Sequence, residues 1–386
     1  MKLGSASPAF SFVLIMGLVN LFGDVAYEGG ASINGPFMAS LGAGAAIISI
    51  TAGAGEFLGY ALRLPAGYIA DKTGRYWTIT FIGYVINLFA VPAMALAGNW
   101  QVAALLVLAE RAGRALRKPT VEAMLSYTTN ELGRGWVYGV NTALDEIGAT
   151  IGPLIIALVL LLHGNYRTGY ALLAISALLA LASLIAARVT FPLPARLEQG
   201  HSATARGFQR AYWMAMLAGA FFAAGLMSFE LISYHLAANK IIEGPWIPVL
   251  LALATAFGVI ASLVLGKLYD GYGMPVLLAA VLLSAMFSPL VFFGGTAAVV
   301  AGMLLWGIGY ATQDTLLKAV IAGLLPEGKR NTAFGLFYAG YGGGWLVGSI
   351  VTGLLYDQSR LGLVVFAAAA QLASLPLFLL AERRRR

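Results

Sequence analysis

The chain has 386 residues, of which 60% are hydrophobic and only 11% are charged. Soluble domains carry more than twice that charged fraction, so a water-soluble fold is excluded and the chain is predicted to lie in a lipid bilayer. The net charge of +7 comes from basic residues spread over separate loops, which excludes a nucleic-acid groove, and the absence of cysteine excludes disulfides and thiolate sites.

Twelve apolar runs follow one another along the chain, and each is long enough to cross a bilayer as a helix. They are continuously apolar rather than alternating, which indicates helices and not the strands of a barrel. The first run is too long for a signal peptide and is expected to remain in the mature protein as a membrane span. The predicted spans, numbered in chain order, are 8–29, 45–70, 76–97, 100–128, 135–162, 168–188, 211–237, 246–269, 275–294, 297–324, 331–356 and 361–381.

The longest polar stretch divides these spans into six and six. It predicts an all-α membrane protein with a six-helix bundle at 1–188, a linker at 189–210 and a second bundle at 211–386. Two glycine patterns indicate that the bundles are duplicates, related by pseudo-symmetry. Gly67, Asp71 and Gly74 recur as Gly266, Asp270 and Gly273, and Gly139, Gly148 and Gly152 recur as Gly335, Gly344 and Gly348.

Lysine and arginine in the loops lie mostly on one face of the predicted bundle. Only Arg167, Lys240 and Arg360 fall on the opposite face. Basic loops stay on the cytoplasmic side of a membrane, so both termini are predicted to be cytoplasmic in a multi-pass protein of the plasma membrane.

Charge is absent from every third span. Spans three, six, nine and twelve carry none and are expected to face lipid, whereas the charged spans must face protein or water. Spans one, four, seven and ten are therefore predicted to surround a polar pathway, with contributions from spans two and five. The charged residues of this pathway are Asp24, Glu28, Glu56, Arg63, Glu110, Arg111, Arg114, Arg117, Lys118, Glu122, Asp145, Glu146, Glu230, Asp314 and Lys318.

The fourth span holds the densest group of these charges. Glu110, Arg114, Lys118 and Glu122 follow one another at i,i+4 spacing and form a ladder on one helix face. Such a ladder either binds an anionic group of a substrate or pairs with acids of neighbouring helices. Arg111 and Arg114 lie nearest mid-depth and are the better substrate candidates, because a guanidinium binds carboxylate or phosphate at two points.

Carboxylates deep in the spans are candidate proton carriers. Asp24 and Glu28 lie one turn apart on the first span, and two neighbouring buried carboxylates rarely both stay ionised. The alternative is that arginines of the fourth span neutralise both. Glu56 and Asp145 are comparable candidates, and Glu56 and Arg63 share a helix face. Glu230 and Asp314 are harder to explain by local pairing, because the second half has so few charges.

The segment GYIADKTGR, between spans two and three, resembles the loop signature of the major facilitator superfamily. Span five, with Gly139, Gly148, Gly152 and Pro153, is similar to the glycine motif of that superfamily's antiporters. The resemblance implies twelve helices in two halves around a central cavity, with gating by the loop and by close packing of span five against the opposite half. The implied gating residues are Gly67, Asp71, Gly74, Arg75, Arg117, Lys118, Glu122, Gly139, Gly148, Gly152, Pro153 and Asp270. Asp71 would cap a neighbouring helix, and Arg75 would reach an acid such as Glu122 or Glu131.

These patterns predict a secondary transporter that exports a small organic solute by alternating access, with the proton gradient as its energy source. Symport or exchange of an anionic metabolite and lipid flipping or scrambling stay open as alternatives. No nucleophile, metal or nucleotide motif indicates an enzyme or a cofactor. The expected partners are the solute, protons and lipid, and the expected state is a monomer. Tyr27, Trp306 and Tyr310 are aromatic candidates for contact with the solute, and His235 is expected to be capped or hydrated.

Overall fold

The computed structural model describes residues 8–126, 134–192, 209–322, 324 and 330–385. In these residues every regular element is a helix, which confirms the all-α prediction. The predicted linker lies largely outside this described part of the chain.

The described residues form twelve helical spans, as predicted. The first six are Pro8–Ser40, Ala45–Ala61 continued by Arg63–Thr73, Tyr76–Ala93 continued by the 3-10 turn Met94–Leu96, Trp100–Ser126, Arg134–Leu161 and Tyr166–Thr190. The last six are Arg210–Leu226 continued by Phe229–Ala238, Trp246–Tyr272, Met274–Ala285 continued by Phe287–Phe293, Thr296–Ala311 continued by the π-helix Thr312–Leu317 and by Lys318–Ala322, Arg330–Gln358, and Arg360–Arg385. By length and apolar content alone, nine helices in the described residues qualify as membrane spans, and the highly charged fourth is not among them.

The first span is longer than predicted. Its helix runs to Ser40 rather than ending near residue 29, and it passes through Gly35 and Pro36 without a break. Gly35 lies where this helix packs closely against the seventh span. A Cβ at Gly35 would overlap the backbone carbonyl oxygen of Glu230.

An even number of spans places both chain ends on one side of the bundle. The end at which Pro8 and Arg385 lie is called the termini face, and the opposite end is called the far face. Odd-numbered spans run from the termini face to the far face, and even-numbered spans run back.

The duplication is visible in the packing of the glycine patterns. A Cβ at Gly148 would overlap the carbonyl oxygen of Leu21 in the first span, and one at Gly344 would overlap that of Ala220 in the seventh. Gly152 and Gly348 repeat this relationship one turn further along, against Val25 and Ala224. Gly148 and Gly152 therefore face span one of their own half rather than the opposite half, whereas span five as a whole also contacts span eight of the opposite half, as expected.

The glycines of the two loop signatures both have a positive φ, although their ψ values differ, 6° at Gly74 and −138° at Gly273. Gly74 ends the second span with a φ of 65° and Gly273 ends the eighth with a φ of 68°. Both values lie in the left-handed region that favours glycine, so the same residue type recurs for the same geometric reason.

The four charge-free spans present broad apolar faces to the outside of the bundle, as predicted. Exposed large side chains include Phe89 in span three, Ile175 in span six, Met286 in span nine and Val365 in span twelve. These faces leave the charged spans to meet in the interior.

The two halves are in close contact towards the far face. The hydroxyl of Ser49 in span two donates a hydrogen bond of 2.7 Å to the carbonyl oxygen of Ser349 in span eleven. Gly53, one turn deeper, has no room for a Cβ beside the side chain of Ser349. Together with the approach of Gly35 to the seventh span, these contacts bring the halves together on the far side of the charged region.

Candidate functional site

Arg111 lies at the centre of the charged region and joins the two halves. Its guanidinium is 3.1 Å from Glu56 Oε1 in span two, 3.6 Å from Glu110 Oε2 in its own span and 3.2 Å from Glu230 Oε1 in span seven. The residue is only 5% exposed. A buried cation with three carboxylates around it is a structural junction, so Arg111 is a weaker substrate candidate than the sequence suggested.

Asp24 belongs to a second buried network, which lies within the first half. Asp24 Oδ1 is 3.5 Å from an Nη of Arg117, whose other Nη donates to the hydroxyl of Tyr84 at 3.1 Å. Tyr84 donates in turn to Asn20 at 2.6 Å, and Asn20 donates to Asn141 at 2.7 Å. Arg117 therefore positions Asp24, and the alternative of neutralisation by the fourth span holds for this one of the two first-span carboxylates.

Arg114 differs from both of its arginine neighbours. Its guanidinium carbon lies 4.1 Å from the ring centroid of Tyr27, and it forms no ion pair with an acidic side chain in the described part of the chain. Arg111 contacts the same ring at 4.7 Å. Tyr27 therefore contacts one guanidinium that has three carboxylate partners and one that forms no ion pair in the described structure.

A polar cavity extends from Arg114 towards the termini face. Spans one, four and five line it, and every span contributes at least two polar or charged side chains. Its lining residues are Asn20, Asp24, Arg114, Arg117, Lys118, Val121, Glu122, Asn141 and Asp145. We call it the termini-side cavity.

The predicted ladder of the fourth span divides between two environments. Arg114, Lys118 and Glu122 line the termini-side cavity, whereas Glu110 is buried and accepts hydrogen bonds from the side chain of Asn87. Successive members of the ladder do not pair with each other at ion-pair distance in the described structure. The i,i+4 spacing therefore aligned these side chains without neutralising them.

Three further carboxylates of the first half lack a cationic partner among the described residues. Glu28 and Glu146 are half-buried, and neither forms an ion pair there. Asp145 lines the termini-side cavity with one carboxyl oxygen, Oδ1, fully buried and without a hydrogen-bond donor. Because Asp24 is paired, Glu28 and Asp145 are the stronger proton-carrier candidates.

The two second-half acids are paired in different ways. Glu230 pairs with Arg111 across the halves, so local pairing does not account for it, whereas Asp314 is 3.2 Å from Lys318 one turn along its own span, so local pairing does account for this residue. Arg63 does not share a partner with Glu56. Instead its guanidinium carbon lies 4.8 Å from the ring centroid of Tyr60, and its Nε donates to the carbonyl oxygen of Gly59.

The predicted gating loop is only partly described. Asp71 lies in the helix Arg63–Thr73, but its side chain lies outside the described structure, as do Glu131 and the surroundings of Gly139. Arg75 is exposed and forms no ion pair with Glu122, which corrects one of its two expected contacts. Asp270, the counterpart of Asp71, is exposed near the end of span eight. Gly67 packs against Pro119, so the loop end of span two does contact span four.

A polar contact between the halves was not predicted. Gln313 donates a 2.8 Å hydrogen bond to the hydroxyl of Tyr60 in span two and accepts one of 2.8 Å from the hydroxyl of Tyr341 in span eleven. It lies in the π-helix Thr312–Leu317, a geometry that is often found at functional sites. The only sequence signal is the pair of polar residues, Gln313 and Asp314, in an otherwise apolar run.

The aromatic candidates for contact with the solute have different surroundings. Tyr27 contacts both arginines of the charged region, whereas Trp306 is buried and donates its indole N–H to the carbonyl oxygens of Leu226 and Met227, where the seventh span is interrupted. Trp306 is therefore structural rather than a contact for solute. His235 is hydrogen-bonded to Tyr356 at 2.9 Å, which agrees with the expected capped histidine.

Comparison with known proteins agrees with this architecture. The Major Facilitator Superfamily matches residues 13–312 and 247–386. An uncharacterized protein of Mycobacterium tuberculosis strain H37Rv is 35% identical over 385 residues, covering 97% of this chain and 94% of that protein. An uncharacterized MFS-type transporter of Methanocaldococcus jannaschii is 24% identical and covers 90% of this chain and 89% of that protein.

Solved structures with the same fold include transporters of different solutes. The nucleoside transporter NupG aligns with a TM-score of 0.74 at 13% identity, over 97% of this chain and 98% of that one. A POT family transporter in complex with a thioalcohol-conjugated peptide aligns with a TM-score of 0.77 at 12% identity, over 97% and 96% of the two chains. The twelve spans, the duplicated halves, and the match to the family over the whole described chain lead to one conclusion: this chain is a membrane transporter that belongs to the Major Facilitator Superfamily.

Proposed function

We propose that the chain is a proton-coupled secondary transporter of a small organic solute that carries an anionic group, and that Arg114 binds this group. One observation carries the proposal: Arg114 lies at the head of a polar cavity, stacked on Tyr27, with no carboxylate paired to it in the described structure. An unpaired guanidinium in the interior of a membrane protein is costly, and a ligand anion relieves that cost.

The neighbouring cations support the choice of Arg114. Arg111 is already surrounded by three carboxylates, and Arg117 is held by Asp24 and Tyr84. Tyr27 adds an apolar surface beside the anion-binding group. A solute with a carboxylate or phosphate and a compact apolar body would use both features.

Proton coupling is supported by the balance of charge. The acidic side chains of the charged spans outnumber the basic ones, and Glu28, Asp145 and Glu146 have no cationic partner among the described residues. Isolated buried carboxylates are held neutral by protons, so this region has the capacity to take up and release protons during the cycle.

Alternating access is supported by the duplicated halves and by the position of their contacts. Residues from both halves meet at Ser49 and Ser349, at Gly35 and at the pair of Arg111 with Glu230. Opening of the far face requires these contacts to separate while the packing within each half is kept. The glycine pattern of span five serves packing within a half and recurs in span eleven, so it does not by itself fix the direction of transport.

The test is ligand-induced thermal stabilisation of the purified protein. Small organic anions, organic cations and neutral amphiphiles would be compared on the wild type, on Arg114→Gln and on Lys267→Gln, an exposed lysine at the termini face. Binding to the folded state raises the unfolding temperature by mass action. We expect an anion to stabilise the wild type and Lys267→Gln but not Arg114→Gln. Stabilisation by cations alone, or equal stabilisation of all three proteins by the anion, would contradict the proposal.

A further inference from the structure

A second cavity lies within the first half, between the Arg111 junction and the far face. It lies between spans one, three, four and six and has room for about one water molecule. Most of its lining is apolar, but four polar side chains face it: Tyr27, Asn34, Glu110 and Tyr170. We call it the far-side cavity.

From these features we infer that the far-side cavity is a hydrated proton site, in which Glu110 exchanges protons with the far side of the membrane while the path between the halves is closed. This rests on the proposed function and assigns one step of its proton coupling to a place separate from the solute site.

The chemistry of the lining favours water in this cavity. The hydroxyl of Tyr170 donates to Asn34 Oδ1 at 2.7 Å, and Glu110 is held from the other side by Asn87. A cavity that contains a carboxyl, an amide and phenol groups offers a water molecule the two to four polar partners that it needs. An apolar ligand would leave those groups unsatisfied.

The cavity lies close to the far surface. Met94 lines it and is only 2% exposed, yet Leu96, two residues further along the same 3-10 turn, is 85% exposed. This turn is held in place by Arg167, which donates to the carbonyl oxygens of Ala95 and Ala97 at 2.7 and 2.8 Å. The single 3-10 turn Met94–Leu96 therefore separates Glu110 and its water from the far side of the bundle.

Glu110 is also in contact with the junction between the halves. A carboxyl oxygen of Glu110 is 3.6 Å from Arg111 Nε, and the other partners of this guanidinium are Glu56 and Glu230. Uptake of a proton from hydronium converts the carboxylate to a neutral carboxyl and leaves water behind. Arg111 then interacts with Glu56 and Glu230 alone. Protonation of Glu110 therefore changes the interactions of the arginine whose ion pair with Glu230 joins the halves.

Titratable and charged groups surround Glu110 on several spans. Span one contributes Tyr27 and Glu28, span two contributes Glu56, span six contributes Tyr170, and span four contributes Arg111, Arg114 and Arg117. Span three contributes the neutral amide of Asn87. Because Glu110 is the acidic side chain that lines this cavity, a proton that enters the cavity binds there.

The transport test compares two rates in proteoliposomes for each protein: solute uptake driven by a pH gradient, and solute counterflow without a gradient. Glu110→Gln removes the proton site with almost no change of shape, and Ala31→Leu fills the cavity from span one. Ala39→Leu makes the same substitution nearer the end of that span, away from the cavity lining. We expect the ratio of driven uptake to counterflow to fall at least tenfold in the first two variants and to stay at the wild-type value in the third.

An infrared measurement on purified protein gives a readout that is independent of transport. The carboxyl band that Glu110→Gln removes should shift within seconds of transfer to D2O, because water reaches the group. Exchange over hours, no such band, an unchanged uptake ratio, or loss of counterflow in Glu110→Gln would each overturn the inference. A wild type without pH-driven uptake would instead contradict the proposed function, so the two failures are distinguishable.

Discussion

The ion pair between Arg111 and Glu230 should set how readily the far face opens. The two charged groups are 3.2 Å apart, come from opposite halves and are 5% exposed each. Glu230→Gln removes the negative charge but keeps the side-chain shape. Arg111 retains Glu56 and Glu110, so the variant should fold.

The size of the effect follows from what is lost. A hydrogen bond to a charged group contributes about 1.5 to 3 kcal/mol, and the full cost of an orphaned buried charge does not apply because two carboxylates remain. We therefore expect the free energy of the open far face, relative to the closed one, to fall by about 2 kcal/mol. The ratio of open to closed molecules should then rise roughly 30-fold at 25 °C.

The absence of native cysteine makes the assay direct. Spin labels on Ser40→Cys, at the end of span one, and on Glu243→Cys, in the loop between spans seven and eight, report the distance between the halves at the far face. Asp357→Asn, which removes an exposed carboxylate at the end of span eleven, is the matched control. We expect a longer-distance population in Glu230→Gln only. Distance distributions that are identical in the wild type and both variants would refute this role of the ion pair.

Three further predictions follow from single contacts. Combined Asp24→Asn and Glu28→Gln should abolish acidification of vesicles on addition of solute, since Asp24 lines the termini-side cavity and Glu28, one turn along the same helix, has no ion pair in the described structure; continued acidification, measured with a pH-sensitive dye, would remove them from the proton path. Gly152→Val should lower the unfolding temperature by several degrees or prevent folding, because a Cβ there overlaps the backbone of span one, and an unchanged melting curve would contradict that packing. Tyr60→Phe removes the hydrogen bond to Gln313 while keeping the ring, so it should shift the conformational equilibrium by about 1 kcal/mol, roughly fivefold, in the same distance assay.

The sequence predicted the spans and the duplication well, because both depend on local composition and on glycine spacing. Gly148 and Gly152 recur in span eleven since each half needs the same close helix contact. The end of the first span was missed for a related reason. A glycine and a proline that usually end a helix are tolerated here because the neighbouring helix packs against them.

The partners of the charged residues were less predictable. Spacing on one helix placed Glu110, Arg114 and Lys118 on one face, but the choice of partner depends on which other helices lie opposite. Arg111 and Arg114 are three residues apart and look equivalent in the sequence, yet one is neutralised from three sides and the other is stacked on Tyr27 without an ion pair in the described structure. Such differences depend on contacts between residues that are far apart in the chain.

The most direct test of the account is accumulation of the stabilising anion in proteoliposomes under an imposed pH gradient, measured for the wild type and for Arg114→Gln. The account predicts that the gradient drives the anion above its equilibrium concentration in the wild type, that collapsing the gradient with a protonophore abolishes this accumulation, and that Arg114→Gln does not accumulate it. Accumulation that persists in the presence of the protonophore, or that is also measured in Arg114→Gln, would contradict the account.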